Sequence, residues 1–240
     1  MNEQTSSRSP VIIGIALIVS AAVFGIFYYS AQQTGSRDTL SVTGSAKTHV
    51  TSDQAKLVIG LMRIVSTDSL STGYAEVAHD LALTRALLKA AGVDDADVVE
   101  SPVSMNQQYD QNSGPTRYQL SQTVTVQSSD VAKVTDISKK VPTLAAQGAI
   151  VSVQSLEYYY SKLPDLRVSL LTDAVKDAKA RAEKIAEGTG GHVGSVSAAS
   201  SGVVQVLPPN SVDVSDYGNY DTSSIDKDVM VTVKASFRLQ

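Results

Sequence analysis

The side chains that could carry out chemistry in this chain begin with its three histidines, His49, His79 and His192. Histidine titrates near neutral pH and often binds metals, so a second histidine or a carboxylate at ligand spacing would indicate a site. None of the three has such a neighbour in the sequence, and adjacent residues such as His79 and Asp80 point to different sides of a helix. The pattern predicts ordinary surface or partly buried histidines, and no catalytic, cofactor-binding or metal-binding residue.

A second pattern with chemical meaning is the glycine-rich stretch from Gly188 to Gly194. A phosphate-binding loop follows a strand and opens a helix, because the helix N-terminus faces the phosphate. Here the glycines follow a helical segment, so they predict a helix C-cap and a turn.

A third group consists of acidic residues near the C-terminus. Its members are Asp213, Asp216, Asp221, Asp226 and Asp228. Ca²⁺ binds carboxylate and carbonyl oxygens, which leaves cation binding open as an alternative. The group lacks the D-x-[DN]-x-[DN]-G order of a calcium loop, and solvated aspartates in a serine-rich loop are the simpler interpretation. We therefore expect no metal ion and no other cofactor.

Composition and motifs exclude several classes of function. The 240 residues contain no cysteine, which excludes disulfides, thiol catalysis and thiolate metal sites. The net charge of −4 argues against nucleic-acid binding and against a polybasic contact with a membrane surface. The sequence shows no recognisable Ser/His/Asp triad motif and no nucleophile-elbow motif. We expect that the protein is not an enzyme.

Tyrosines offer two candidate interaction surfaces. Tyr158, Tyr159 and Tyr160 alternate across a predicted strand, so one or two rings face outward or toward a partner; the alternative is packing under a helix. Tyr217 and Tyr220 lie in residues 207–225, a connection of about twenty residues without its own pattern, and such loops are usually functional or disordered. We expect this loop to contact a neighbouring subunit or partner rather than its own domain, with Tyr158 and Tyr160 as the next candidates.

The N-terminal region contains an uncharged apolar run, residues 11–29, of the length that spans a membrane as a helix. A cleaved signal peptide is the alternative, but its apolar region would be unusually long and residues 29–31 lack a good small-x-small cleavage site. Charged residues on the two sides do not decide the orientation. We divide the chain into a tail (residues 1–10), an uncleaved transmembrane anchor (11–30), a linker (31–38) and one domain (39–240).

The rest of the chain is organised around a long helix that begins near Pro164 and ends at Gly188. Its apolar positions recur at three- and four-residue steps: Leu170, Leu171, Ala174, Ala178, Ala182 and Ile185. Because the alanines leave little bulk, this helix can lie close against a sheet.

Two further helices and seven strands are predicted around it. The strands are placed near residues 40–47, 54–65, 98–109, 118–127, 150–160, 192–206 and 229–239, with a hairpin turn at 112–115. The strand at 54–65 is apolar on both faces and therefore lies inside the sheet. A helix at 68–91 turns Tyr74, Val77, Ala78, Leu81 and Leu88 inward, and Pro142 kinks or shortens a helix at about 130–146. The fold class is α+β, with a mixed or antiparallel sheet of about seven strands and three packed helices in the order β-β-α-β-β-α-β-α-β-β, plus the N-terminal transmembrane helix.

Short motifs in the same order point to a family. They are Thr39-Leu40-Ser41-Val42-Thr43-Gly44, Asp53-Gln54-Ala55, Gly92-Val93 with Asp97-Val98, Val124-x-Val126 before Asp130, Gly148-Ala149, Ala174 to Ala182 through Gly194-x-Val196, and Val229-x-Val231-x-Val233. Together they cover about residues 39–239 and resemble the SIMPL-domain family. The resemblance implies an exported protein, since bacterial members look like periplasmic or envelope proteins, some linked to oxidative stress and some forming large ring-like oligomers. The apparent uncleaved anchor departs from the many members that carry a cleaved signal peptide.

These observations together favour a single-pass protein of the inner (cytoplasmic) membrane with its domain in the periplasm. We expect it to act as a non-catalytic interaction or assembly module of the cell envelope, related to stress. The expected partners are the membrane, further copies of the chain and an envelope protein, and no nucleic acid. The alternatives are a periplasmic protein that binds a small ligand or cation, and a cryptic enzyme.

Overall fold

The structure is a computed structural model and describes residues 9–33, 39–108, 116–211, 215 and 217–240. Its described residues form four α-helices and nine strands. The helices are α1 (Ser9–Gln33), α2 (Leu70–Ala90), α3 (Val131–Lys140) and α4 (Leu163–Gly188). The strands are β1 (Thr39–Thr51), β2 (Gln54–Ser66), β3 (Val98–Glu100), β4 (Ser104–Gln108), β5 (Arg117–Ser128), β6 (Val151–Tyr159), β7 (Val193–Ser201), β8 (Gln205–Leu207) and β9 (Asp226–Leu239).

The strands form two antiparallel sheets, so the prediction of one sheet is wrong while the α+β class is confirmed. One sheet has the order β1-β9-β7 with β8 also beside β9, and the other has the order β3-β5-β2-β6 with β4 also beside β5. Alternation along a strand reports which residues face inward, but it does not report which strands are hydrogen-bonded to each other.

Two predicted strands are each divided in two. The segment at 98–109 breaks into β3 and β4 around Pro102, which has no N–H to donate to a ladder. The segment at 192–206 breaks into β7 and β8 at Gly202, where an added Cβ would lie 2.4 Å from Thr232 Oγ1. The predicted turn at 112–115 lies outside the described residues.

By its contacts the chain divides into two compact units, and the boundary passes through β1, α4, the last residue of β7, and β9. The first unit comprises the chain up to Gly44 together with Val175–Ser200 and Val233–Gln240. Its core is formed by Val42, Ala178, Ala182, Ala235 and Phe237. Alanines of α4 therefore pack closely in this core, as predicted, whereas Ile185 is exposed because the buried line of α4 advances in steps of four residues.

The second unit comprises Ser45–Ala174 and Ser201–Thr232. β2 pairs with β5 on one side and β6 on the other, which confirms its predicted place inside a sheet. One face of β2 is buried through Leu57, Ile59 and Leu61, while Met62 and Ile64 on the other face remain exposed.

The buried face of α2 differs from the prediction. Tyr74 and Ala78 are exposed, whereas Asp80 and Thr84 are buried. Asp80 can face inward because the Arg63 guanidinium donates to both of its carboxylate oxygens, at 2.8 and 2.7 Å. The positions of apolar residues alone therefore predict the wrong buried face for this helix.

The predicted helix at 130–146 ends early, as expected from its proline. α3 stops at Lys140 and a 3₁₀ segment, Val141–Gln147, follows with Pro142 in its first turn. Asp130 caps α3, since its carboxylate accepts a hydrogen bond from Lys133 N at 2.9 Å.

Within the described residues, no helix combines the length and the apolar character needed to cross a membrane. The N-terminal transmembrane helix is thus not supported by this finding and stays a prediction.

Candidate interaction site

The C-terminal loop, residues 208–225, connects β8 to β9, and its described residues 219–222 are hydrogen-bonded to strands of the second unit. Val206 N donates to Asn219 O at 2.7 Å and Asp221 N donates to Val206 O at 2.8 Å, so this part of the loop runs parallel to β8. Tyr158 N then donates to Thr222 O at 2.8 Å. The prediction that the loop does not fold onto its own domain is wrong, because its backbone is hydrogen-bonded to both β8 and β6.

A buried glutamine fixes the middle of the C-terminal loop. Gln205 Nε2 donates to Ser215 O at 2.5 Å, and Gln205 Oε1 accepts from Asn219 N at 2.8 Å. One side chain therefore holds the backbone on both sides of Tyr217.

The next contact is an ion pair around Lys227, whose side chain has 0% of its surface exposed. Its ammonium donates to Asp221 O and Ser224 O, both at 2.6 Å, and lies 3.4 Å from Asp221 Oδ2. Burial lowers the pKa of Lys227, and the nearby Asp221 carboxylate opposes that effect.

Asp221 also fastens the backbone of the C-terminal loop. Its carboxylate accepts from the amides of Ser223 and Ser224 at 2.9 and 3.2 Å, and from both serine hydroxyls. Although burial alone would raise its pKa, the bonds from Ser224 and Ser223 and the Lys227 ammonium hold the pKa of Asp221 well below the usual range.

A second charged cluster surrounds Asp228 at the start of β9. Its carboxylate lies 2.6 Å from Lys47 Nζ and 3.1 Å from His49 Nδ1, and it accepts from Asn210 N at 3.3 Å. The contacts with Lys47 and His49 lower the pKa of Asp228. Sequence reasoning missed this contact of His49, because its carboxylate partner lies 179 positions along the chain.

The acidic residues considered as an alternative cation site are described only in part. Asp213 and Asp216 lie outside the described residues. Asp221 and Asp228 have the separate partners given above, and Asp226 accepts from Thr51 Oγ1 at 2.8 Å. Among the described residues, no group of three or more histidines and carboxylates is placed to hold a metal ion.

The remaining sequence candidates lie apart from this loop. His79 is exposed on α2, and His192 pairs through its backbone with Gln240. The glycine stretch forms the predicted C-cap and turn: Gly190 has a positive φ of 78°, and Gly191 N donates to Ala186 O at 2.9 Å.

The tyrosines divide into buried and exposed rings. Tyr158 is buried and its hydroxyl lies 3.0 Å from Thr135 Oγ1, so its prediction as an interface residue is wrong. Tyr159 donates to Glu157 Oε2 at 2.5 Å, and this bond raises the pKa of Tyr159 to about 12. The ring centroids of Tyr159 and Tyr220 are 6.2 Å apart, whereas 96% of the Tyr217 surface is exposed.

Comparison with known families decides the identity of the domain. The SIMPL family model, described as a protein of unknown function (DUF541), matches residues 40–237. The chain belongs to the SIMPL family. A comparison with curated proteins found no match.

The SIMPL domain therefore begins within β1 and ends within β9, and α1 precedes it. The C-terminal loop is part of this domain, and it holds a cavity of about 280 Å³ lined by residues 206–208, 211 and 219–221. In the described part of the loop, this SIMPL domain offers a backbone that is hydrogen-bonded to β8 and β6, an Asp221 carboxylate occupied by structural bonds, and exposed surface on Tyr217 and Tyr220.

Proposed function

We propose that this SIMPL protein is a membrane-anchored interaction and assembly module that acts outside the cytoplasm. The observation that carries the proposal is Tyr217, with 96% of its surface exposed on a loop that Gln205 fixes on both sides. A tyrosine ring supplies a large contact area at a small entropic cost, and interface hot spots are enriched in tyrosine. An exposed ring on a backbone that is bonded at Ser215 and Asn219 suits a contact with another protein.

A non-catalytic role is supported by how the charged groups are used. Several ionic contacts of the second unit are bidentate or network bonds that hold separate segments together: Arg63 to Asp80, Arg85 to Glu100, and Lys227 to Asp221. Such bonds hold groups in place, whereas a general acid or base must be free to exchange a proton with a substrate.

The anchor and the location are supported by the sequence of α1. The apolar run at residues 11–29 carries no charge, and exposed apolar side chains such as Ile18, Phe24 and Phe27 cover the described part of this helix. The resemblance to exported relatives supports a periplasmic domain at the inner membrane and a link to oxidative stress.

The test is capture of the full-length protein from native membranes, followed by mass-resolved sizing, for wild type and Tyr217→Ser. If Tyr217 is a hot spot worth about 2 kcal/mol, the variant should retain roughly one thirtieth of the affinity for its partner or neighbouring copy. Tyr74→Ser is the matched control, because Tyr74 is an exposed tyrosine on α2 of the same unit. Equal assemblies from both variants would contradict an interface at the C-terminal loop.

A second candidate function, small-ligand binding, is favoured by one groove of about 410 Å³. Its lining is Thr51, Ser52, Val131, Ala132, Thr135, Asp136, Lys139 and Ile225. The Ser52 hydroxyl is buried and has no hydrogen-bond partner among the described residues, which is uncommon in native proteins. Native mass spectrometry of the purified chain would support this candidate by a stoichiometric small molecule that Ser52→Val removes.

A further inference from the structure

β7 is a long strand with an unpaired edge in the described part of the chain. It ends the order β1-β9-β7, so strand β9 covers only one of its two sides. Residues 195–201 are all exposed, although successive side chains point to opposite faces of the sheet. β7 is thus open along its outer edge and on both faces.

An open edge is a template for pairing with another strand, and proteins usually guard it with charges, proline, bulges or short length. The other outer strands are guarded in these ways. β1 carries Lys47 and His49, β6 carries Glu157 and bonds Thr222 at its end, and β3 and β4 have only 3 and 5 residues. β7 has 9 residues, VGSVSAASS, without a charge or a proline.

We propose that β7 pairs antiparallel with β7 of a second copy of the chain, so that the sheet continues across a two-fold axis. This inference rests on the proposed assembly function and names the surface that carries it. Like charges directly opposite each other weaken strand pairs, and β7 brings none against its own copy. No side chain of β7 is larger than valine, so bulky groups do not keep the two edges of a self-complementary two-fold interface apart.

The geometry gives the pairing a specific signature. Around a two-fold axis, one residue of β7 lies opposite its own copy, with Cα atoms about 4.5–5.5 Å apart. A disulfide bridges Cα atoms about 4.4–6.8 Å apart, so a cysteine at that position would link the two copies. Because the chain has no cysteine, every cross-link reports the introduced residue alone.

The experiment is a scan of single cysteines at Ser195, Val196, Ser197, Ala198 and Ala199 in the full-length protein in native membranes. After mild oxidation, we expect one position to give roughly tenfold more dimer than Ala86→Cys, an exposed control on α2, with less dimer two residues away. Uniform cross-linking at the control level, or cross-links only to a different protein, would overturn pairing between copies.

A second set of variants separates this inference from the proposed function. Ala198→Lys and Ala199→Lys place a charge on either face of β7, and each should weaken the dimer about tenfold. Their melting temperatures should equal that of Ala86→Lys, because these positions are exposed. A dimer unaffected by both lysines overturns the inference, while loss of partner capture in Tyr217→Ser would still support the C-terminal loop as an interface.

Discussion

Lys227 illustrates, at the scale of single residues, how the C-terminal loop is held. An ammonium without exposed surface needs a charged or polar partner, and here it has two carbonyl oxygens and the Asp221 carboxylate. The same carboxylate fixes the amides of Ser223 and Ser224. One aspartate thus closes the loop and balances the buried charge.

Asp221→Asn should therefore destabilise the protein. Removing one partner of a buried ion pair costs about 3 kcal/mol, because the other charge is left buried. Urea unfolding of the full-length protein measures the loss. Asp226→Asn is the control, since that carboxylate is about half exposed, and its effect should stay below about 1 kcal/mol.

Because the pKa of Asp221 is lowered, the difference in stability between wild type and Asp221→Asn should depend on pH. A carboxyl with a depressed pKa in the folded state stabilises the protein above its unfolded pKa of about 3.9, and this stability is lost as the pH falls. The gap between wild type and Asp221→Asn should be full at neutral pH and shrink below about pH 4. A gap that stays constant down to pH 2 would contradict the pairing.

At the scale of elements, β9 takes part in the cores of both units. Val229 and Val231 are buried in one cluster of the second unit, while Ala235 and Phe237 are buried in the core of the first. The strict alternation of this strand predicted that face, and the burial pattern confirms it.

Val231→Asp should cost several kcal/mol, because the new carboxylate would be buried without a partner. The free energy of unfolding in urea checks this, with Lys234→Asp as the control on the opposite, exposed face of β9. Thr232 would be a poorer control, since Gly202 lies directly against its hydroxyl. Equal stability of the Val231 and Lys234 variants would contradict the packing of β9.

At the scale of the whole molecule, the proposal depends on where the domain lies. With α1 as an uncleaved anchor, residues 1–10 would face the cytoplasm and the SIMPL domain the outside. Protease added to intact spheroplasts should then digest the domain. A protected domain would contradict the orientation, and a mature chain shorter by about thirty residues would show a cleaved signal peptide.

The sequence by itself determined the features that depend on neighbouring residues. The alternation of β9, the alanine line of α4, the early end of α3 at Pro142 and the turn at Gly190 all follow from local periodicity and backbone preference. These signals lie within a few residues of the feature they specify. The SIMPL family could also be recognised from the sequence, because its short motifs are local and occur in order along the chain.

Only the tertiary structure decided which groups meet. Asp80 faces inward because Arg63 pairs with it, and His49 meets Asp228 from 179 positions away. The division into two sheets likewise depends on strands remote in sequence. The partners of Gln205 and Lys227 are nearer, Ser215 at 10 positions and Asp221 at 6, but they meet only because the loop folds back against its neighbouring strands. The type of a polar residue indicates which hydrogen bonds it can form, whereas the fold determines which partner it meets.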